Sequence, residues 1–506
     1  MKKIVFLFFL VFSLVCCKGN KEERSTFNAF GTSFSDLDLE KYTRSALNED
    51  FDILIKALKE AHTGLYWYST ERQFDSVVTM QKEKIKDSLN ILEFYNIVAP
   101  IIAFTKEDHC DIHLSEEVSE YLKERGKYLP LSVISLRDTV YILNNLGDDY
   151  ELRRYRLSKI NGRPISAIYN KIFETFASDG FIESSKIRWL DGIRFSREYA
   201  KVIEQTDSFE IEVEGLNEKN RKTYKIKATD WKALKQIDNL LKKEEIFHNT
   251  NIPASFEMTG RYTALLTINT FDNSRFRDRD MDFKIFISDV FKEIDSAKIE
   301  NLIIDIRENG GGTEGNEDYL FAYLTDKDYR KYKYVELSAF SYSFYQYTDY
   351  NNSKDQKEFE KDLKEEHYLA DDGRILRKPG VEKQEELKEN PFLGNVYVLT
   401  SGWTYSGGAE FANLMRQHTD AVFVGEEVGG GYYGNTSGYS LELRLPHSKL
   451  KVDIPILRFV MDVEGLPFGR GALPDYDVQP TIEEYLKGND IQLEFVNKLI
   501  SNSECP

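Results

Sequence analysis

The chain has 506 residues, of which 41% are hydrophobic and 13% aromatic, and its 67 Lys and Arg against 85 Asp and Glu leave a formal net charge of −18. That acidity argues against nucleic acid or an anionic membrane face as partner. The length suffices for two to four domains with cores of their own, and four cysteines, two of them near the N-terminus, make no disulfide framework.

The chain opens with two lysines, an apolar run from Ile4 to Val15, and Cys16-Cys17, after which it turns polar. Such a run is too short to span a bilayer and reads as an export signal covering residues 1–17. Leu14-Val15-Cys16-Cys17 resembles a bacterial lipobox, which implies cleavage before Cys17, lipidation of its thiol, and a protein held to the cell envelope by lipid. Residues 18–47 are polar and read as a tether. Beyond the signal only Cys110 and Cys505 remain, and one bridge between them is compatible with the sequence.

Helical spacing follows in Phe51, Leu54, Leu58 and Ala61, after the Thr70 to Gln73 capping pattern, and from Leu92 to Phe104, which predicts a helical domain over 48–125. It carries His62 and the cluster Asp108-His109-Cys110-Asp111-Ile112-His113. Two histidines four apart beside carboxylates are conceivable zinc ligands, but no second ligand cluster accompanies them, so neither a metal nor a cofactor is expected.

Residues 126–250 contain short alternating runs, TVYIL, RLSKI and FEIEVE, with a turn at Asn161-Gly162, and predict a β-rich module closed by a helical connector from Trp231 to Glu245. LSKINGRPISAIYNKIF resembles the strand-to-helix segment of PDZ-like domains, which implies docking of peptide by strand addition. From residue 251 to 500, near-continuous apolar strands alternate with helices, for example over Phe283 to Ala297 and Asn316 to Leu324, and predict an α/β core. The charged stretch from Asp326 to Asn390 reads as an insertion or a solvated subdomain.

Two strands of that core end in glycine-rich loops. Gly310, Gly312 and Gly315 fit a dinucleotide fingerprint by spacing and context, although the D-I-R-E-N lead-in is unusual and no ribose-binding acid follows; Gly429, Gly431 and Gly434 precede a strand and fail on context. In NVYVLTSGWTYSGGAEFANLMRQ, Ser406 stands where the strand gives way to a helix. A serine there either caps the helix or serves as a nucleophile beside unpaired amides.

Four segments taken together, KEDHC at 106–110, LIIDIRENGGG at 302–312, TSGWTYSGGAEFA at 400–412 and GRGALPDYDV at 469–478, resemble the tail-specific and tricorn-like serine peptidases. The resemblance implies a multidomain α/β protein with a ClpP/crotonase-like core, an N-terminal helical domain and a PDZ-like module, acting on peptide or protein substrates. It implies that Ser406 is the nucleophile, with Gly407 and Gly311 as oxyanion donors. One branch of the family uses a lysine about 25 residues after the serine. Gly431 stands there, and no lysine occurs before Lys449, so the Ser-His-Glu arrangement is expected. His109 matches the general base, with His62 and His113 behind it. At the place of the acid stands Phe468; Glu464 is the nearest glutamate, and Asp462 and Asp475 are alternatives. Glu410 is expected to be structural. The function expected is an envelope-anchored serine endopeptidase, with a non-catalytic peptide- or ligand-binding lipoprotein and a dinucleotide-binding enzyme as rivals.

Overall fold

The computed structural model describes residue 34 and residues 37–145, 151–216, 221–243, 251–381 and 384–503. The export signal, Cys16, Cys17 and Cys505 lie outside them. No helix among the described residues is long and apolar enough to cross a membrane.

Three helices open the described chain. In Arg44–Ala61 the residues Leu47, Phe51, Leu54, Leu58 and Ala61 repeat at three and four, and all are fully buried; each large apolar side chain so buried contributes about 1.5–3 kcal/mol. The tether is shorter than expected, because this helix starts at Arg44 and Phe34 is already packed in the core. Reciprocal capping boxes start the next two helices, Thr70 with Gln73 before Glu71–Lys82 and Asn90 with Glu93 before Ile91–Thr105. Each satisfies two backbone donors that a helix end otherwise leaves bare. Lys106, at φ 57°, adopts the left-handed conformation that stops the third helix and turns the chain into the 107–110 loop. Asp111–His113 then pairs antiparallel with Lys451–Pro455, so this N-terminal part shares a sheet with the far end of the chain.

The module that follows is an antiparallel sheet in the order Leu131–Leu136, Thr139–Asn145, Arg156–Ile160, Ser208–Glu214, Arg221–Lys227. The expected turn is there: Ile160 pairs with Arg163 across Asn161 and Gly162, both at positive φ, and the helix Ile165–Phe173 follows.

The main sheet runs Ala254–Met258, Thr263–Ile268, Asn301–Asp305, Asn395–Thr400, Val422–Gly425, Tyr476–Asp477, parallel except at its first pair. Its strands are covered on both faces, which is why they read as unbroken apolar runs. Ile303, Leu399 and Val424 pack against Val496 and Ile500 of the last helix, whereas Leu302, Ile304 and Val398 face the main core.

The stretch 326–390 is no mere insertion, which corrects the reading from sequence. Its strand Tyr332–Leu337 is central in a second sheet, between Ile375–Arg377 and Leu457–Met461. The charge pattern misled because Lys331, the residue before it, is buried against Glu317 and Glu410.

Candidate active site

Ser406 immediately precedes the helix Gly407–His418 and adopts φ 49°, ψ −124°. A non-glycine residue in that region stores about 1–3 kcal/mol of strain and persists only where its surroundings impose it. They do so here: the Tyr405 N–H donates to the Asn309 carbonyl at 2.9 Å, the Gly408 N–H to the Tyr405 carbonyl at 2.8 Å, and the Ser406 carbonyl accepts from the Glu410 N–H at 2.9 Å. The serine side chain makes no capping bond, so its hydroxyl is left for other work.

The glycine loop after Asn301–Asp305 closes over this turn. Gly311, at φ 93°, leaves no room for a side chain, since a β-carbon there would lie 2.7 Å from the Gly407 nitrogen and 3.1 Å from Ser406 Oγ. At Gly311 the glycine loop is thus packed directly against the serine turn. The Gly407 N–H has no hydrogen-bond partner among the described residues and sits at the start of the helix, as an oxyanion donor should. The expectation for the Gly311 amide is corrected: that N–H donates to Asn309 Oδ1 at 2.8 Å. Gly311 contributes a missing side chain instead of a free donor, and within residues 310–312 the amides without a partner among the described residues are those of Gly310 and Gly312.

His109 lies in the turn after the third helix, and its ring stacks on that of Tyr405, with centroids 5.6 Å apart and planes 27° from parallel. The base candidate is therefore stacked on the residue next to Ser406, the candidate nucleophile. Its Nδ1 is buried without a partner, and among the described residues no hydrogen bond joins it to Ser406 or to a carboxylate. Apo sites commonly form these contacts only with substrate in place.

Asp179, from the PDZ-like module, is buried and pins the base loop. It accepts the Asp108 N–H at 3.0 Å through one oxygen and the Gly431 N–H at 3.0 Å through the other. The Gly180 N–H donates to the Lys106 carbonyl at 2.9 Å, and the Phe181 N–H to the Gly469 carbonyl at 2.8 Å. One three-residue segment thus joins the base loop, the glycine segment that carries lysine in the dyad branch, and the terminal motif. Nothing in the sequence marked Asp179; only its partners do. Beside it, burial pushes the Asp108 carboxyl up to about 8, with the charges of Asp179 and Asp111 adding to the effect, and Asp108 lies against the Tyr405 hydroxyl. Glu107 is fully buried, paired with Arg458 at 2.9 Å and pushed up to about 7 by burial.

Residues 262–478 match peptidase family S41. Over that stretch the chain is similar to the S41 peptidases, in line with the three of the four segments that fall within it. The whole fold also resembles mature CPAF complexed with lactacystin, at 16% identity and a TM-score of 0.62 over 90% of this chain and 98% of that one. Mature CPAF without the ligand gives 14% identity and a TM-score of 0.60 over 92% and 99%. At such identities the likeness concerns the fold, and it extends well outside the S41 region.

The remaining candidate residues are placed elsewhere. His62 is buried with Nδ1 accepting the Gly64 N–H at 3.1 Å, and burial with the nearby Arg458 lowers it to about 3, which keeps it neutral. His113 pairs with Asp453 at 3.2 Å. Asp462 is engaged with Arg330, and Asp475 with Arg416 and the Phe423 N–H. Glu464 is on an exposed loop; its N–H donates to Gln417 and its carbonyl accepts from Tyr432, but its carboxylate makes no contact with His109 among the described residues. Phe468 packs on Trp67, Tyr68 and Tyr433. Glu410 is structural, as expected, bonded to Tyr332 and Asn435 and paired with Lys331 at 3.1 Å. Cys110 is buried and makes no disulfide among the described residues; Cys505, its candidate partner, lies outside them.

Proposed function

We propose that this chain is a serine endopeptidase anchored to the cell envelope through a lipid on Cys17, which cleaves peptide substrates through an acyl-enzyme on Ser406. The observation that carries the reading is the strained Ser406 turn at a helix start, roofed by Gly311 and flanked by the His109 ring on Tyr405. His109 takes the hydroxyl proton as Oγ attacks the carbonyl carbon and returns it to the leaving amine; water then attacks the ester with His109 again as base. The Gly407 N–H and an amide of the 310–312 loop receive the developing oxyanion. For the acid, Glu464 serves if its loop carries the carboxylate onto His109, while Asp111 already lies within electrostatic reach of that ring. The PDZ-like module docks the substrate chain. Ser406→Ala tests the reading: the variant folds as the parent does and shows no peptidase activity, whereas retained activity ends it.

A second reading, a peptide-binding lipoprotein without catalysis, is favoured by Phe468 standing where the family carries its acid and by the unpartnered Nδ1 of His109. Tight peptide binding without turnover by the parent protein supports that reading.

A further inference from the structure

A cavity of about 690 Å³ lies between the N-terminal helices, the PDZ-like module and the S41 core. It is lined by Gly310 and Tyr405, the residues beside Gly311 and Ser406, and by Gly402, Tyr128 and Trp231. This volume is in the range of ligand pockets, and protein interiors do not usually leave so large a space unfilled. Its walls include the aromatic rings of Tyr95, Phe176, Trp189 and Trp403.

The charges on its walls answer one another. Glu198 pairs with Lys201 at 2.6 Å and Arg197 at 3.1 Å, and the Lys201 ammonium also lies over the Tyr95 ring at 4.8 Å. Lys186 donates to the Phe173 carbonyl at 2.9 Å and lies over the Phe176 ring. His113 is paired with Asp453. An anionic occupant would find Lys201 and Arg197 already engaged by Glu198 and would gain little from them in return for its lost hydration. One buried hydroxyl, Ser185 Oγ, has no hydrogen-bond partner, as suits a site completed by the backbone of a peptide.

We propose that this cavity receives the bulky apolar, preferably aromatic, side chains of the substrate next to the bond cleaved at Ser406. The proposal rests on Ser406 being the nucleophile, because Tyr405, the residue before it, lines the cavity. It assigns selectivity to Trp189, Trp403 and the small Ala177, which lines the same space. A phenylalanine at 177 would fill the cavity, and removal of the Trp189 indole would open it.

The test treats the full-length protein with a defined pool of synthetic peptides, reads cleavage sites by mass spectrometry, and measures labelling of Ser406 by a small fluorophosphonate in parallel. The parent cuts beside Phe, Tyr, Trp and Leu in preference to Ala, Asp or Lys. Ala177→Phe lowers kcat/KM for Trp-containing peptides about tenfold or more relative to Ala-containing ones, the discrimination expected of a pocket changed by a few carbons, with labelling unchanged. Trp189→Ala, on the protein surface, weakens the aromatic preference by a similar factor and covers the case in which Ala177→Phe does not fold. Labelling that persists while cleavage ignores side-chain size, or while all peptides are affected alike, overturns the cavity assignment and leaves the nucleophile standing. Absence of labelling and cleavage in the folded parent overturns the nucleophile and the cavity assignment with it.

Discussion

A β-carbon on Gly311 would lie 3.1 Å from the Ser406 hydroxyl oxygen. That contact joins two loops far apart in sequence, each following a strand of the same parallel pair, Asn301–Asp305 and Asn395–Thr400. Crevices beyond the carboxyl ends of such strands are where α/β sheets place their sites. Gly311→Ala is therefore expected to lower kcat by about 10²–10³, the scale of losing one oxyanion donor. Steady-state kinetics beside a thermal melt check this: a folded, fully active variant shows that the serine does not react in this geometry.

Asp179 holds two amides with one buried carboxylate. Asp179→Ala leaves both N–H groups unsatisfied and costs about 1–3 kcal/mol for each. Asp179→Asn retains one acceptor and recovers part of the loss. Because the Asp108 amide lies next to His109, kcat falls in both variants by more than KM changes. Urea unfolding and kinetics on the pair test this, and equal activity in all three proteins refutes a positioning role.

Lys331 neutralises Glu317 and Glu410 in the core beneath the Ser406 helix. Lys331→Met strands two carboxylates and is expected to cost about 3–5 kcal/mol. Burial already raises the Glu317 carboxyl above its ordinary range even beside Lys331. A carboxyl raised on folding stabilises below its unfolded pKa and loses that contribution as pH rises, so the variant regains stability on acidification. Urea midpoints at pH 5 and 8 decide the matter.

The Asp108 carboxyl, raised by burial to about 8, gives a second pH signature. Between its unfolded value of about 4 and its folded value the native state binds more protons, so its contribution is present in full below about pH 4 and is lost as pH rises through 8. Stability of the parent relative to Asp108→Asn is expected to decline across that window; parallel pH profiles refute it.

Elements fixed by local pattern were legible in the sequence. The Thr70 to Gln73 box, the helix Phe283–Ala297 and the turn at Asn161 depend on residues within a few positions of one another, and the structure places each where its pattern put it. What was not legible depends on distant partners. Lys331 reads as solvated until Glu317 and Glu410 close around it. The Gly311 amide reads as free until the Asn309 side chain is seen to accept from it. Asp179 sits in an unremarkable stretch, and its part follows only from the meeting of three segments.

The central claim is that Ser406 reacts and His109 activates it. The full-length protein in detergent is treated with a fluorophosphonate and the adduct located by mass spectrometry, in the parent, Ser406→Ala and His109→Ala. The account predicts an adduct on Ser406 that is absent in Ser406→Ala and forms about 10²–10⁴ more slowly in His109→Ala, the usual worth of a general base. An adduct elsewhere, none in the folded parent, or an undiminished rate without His109 would contradict it.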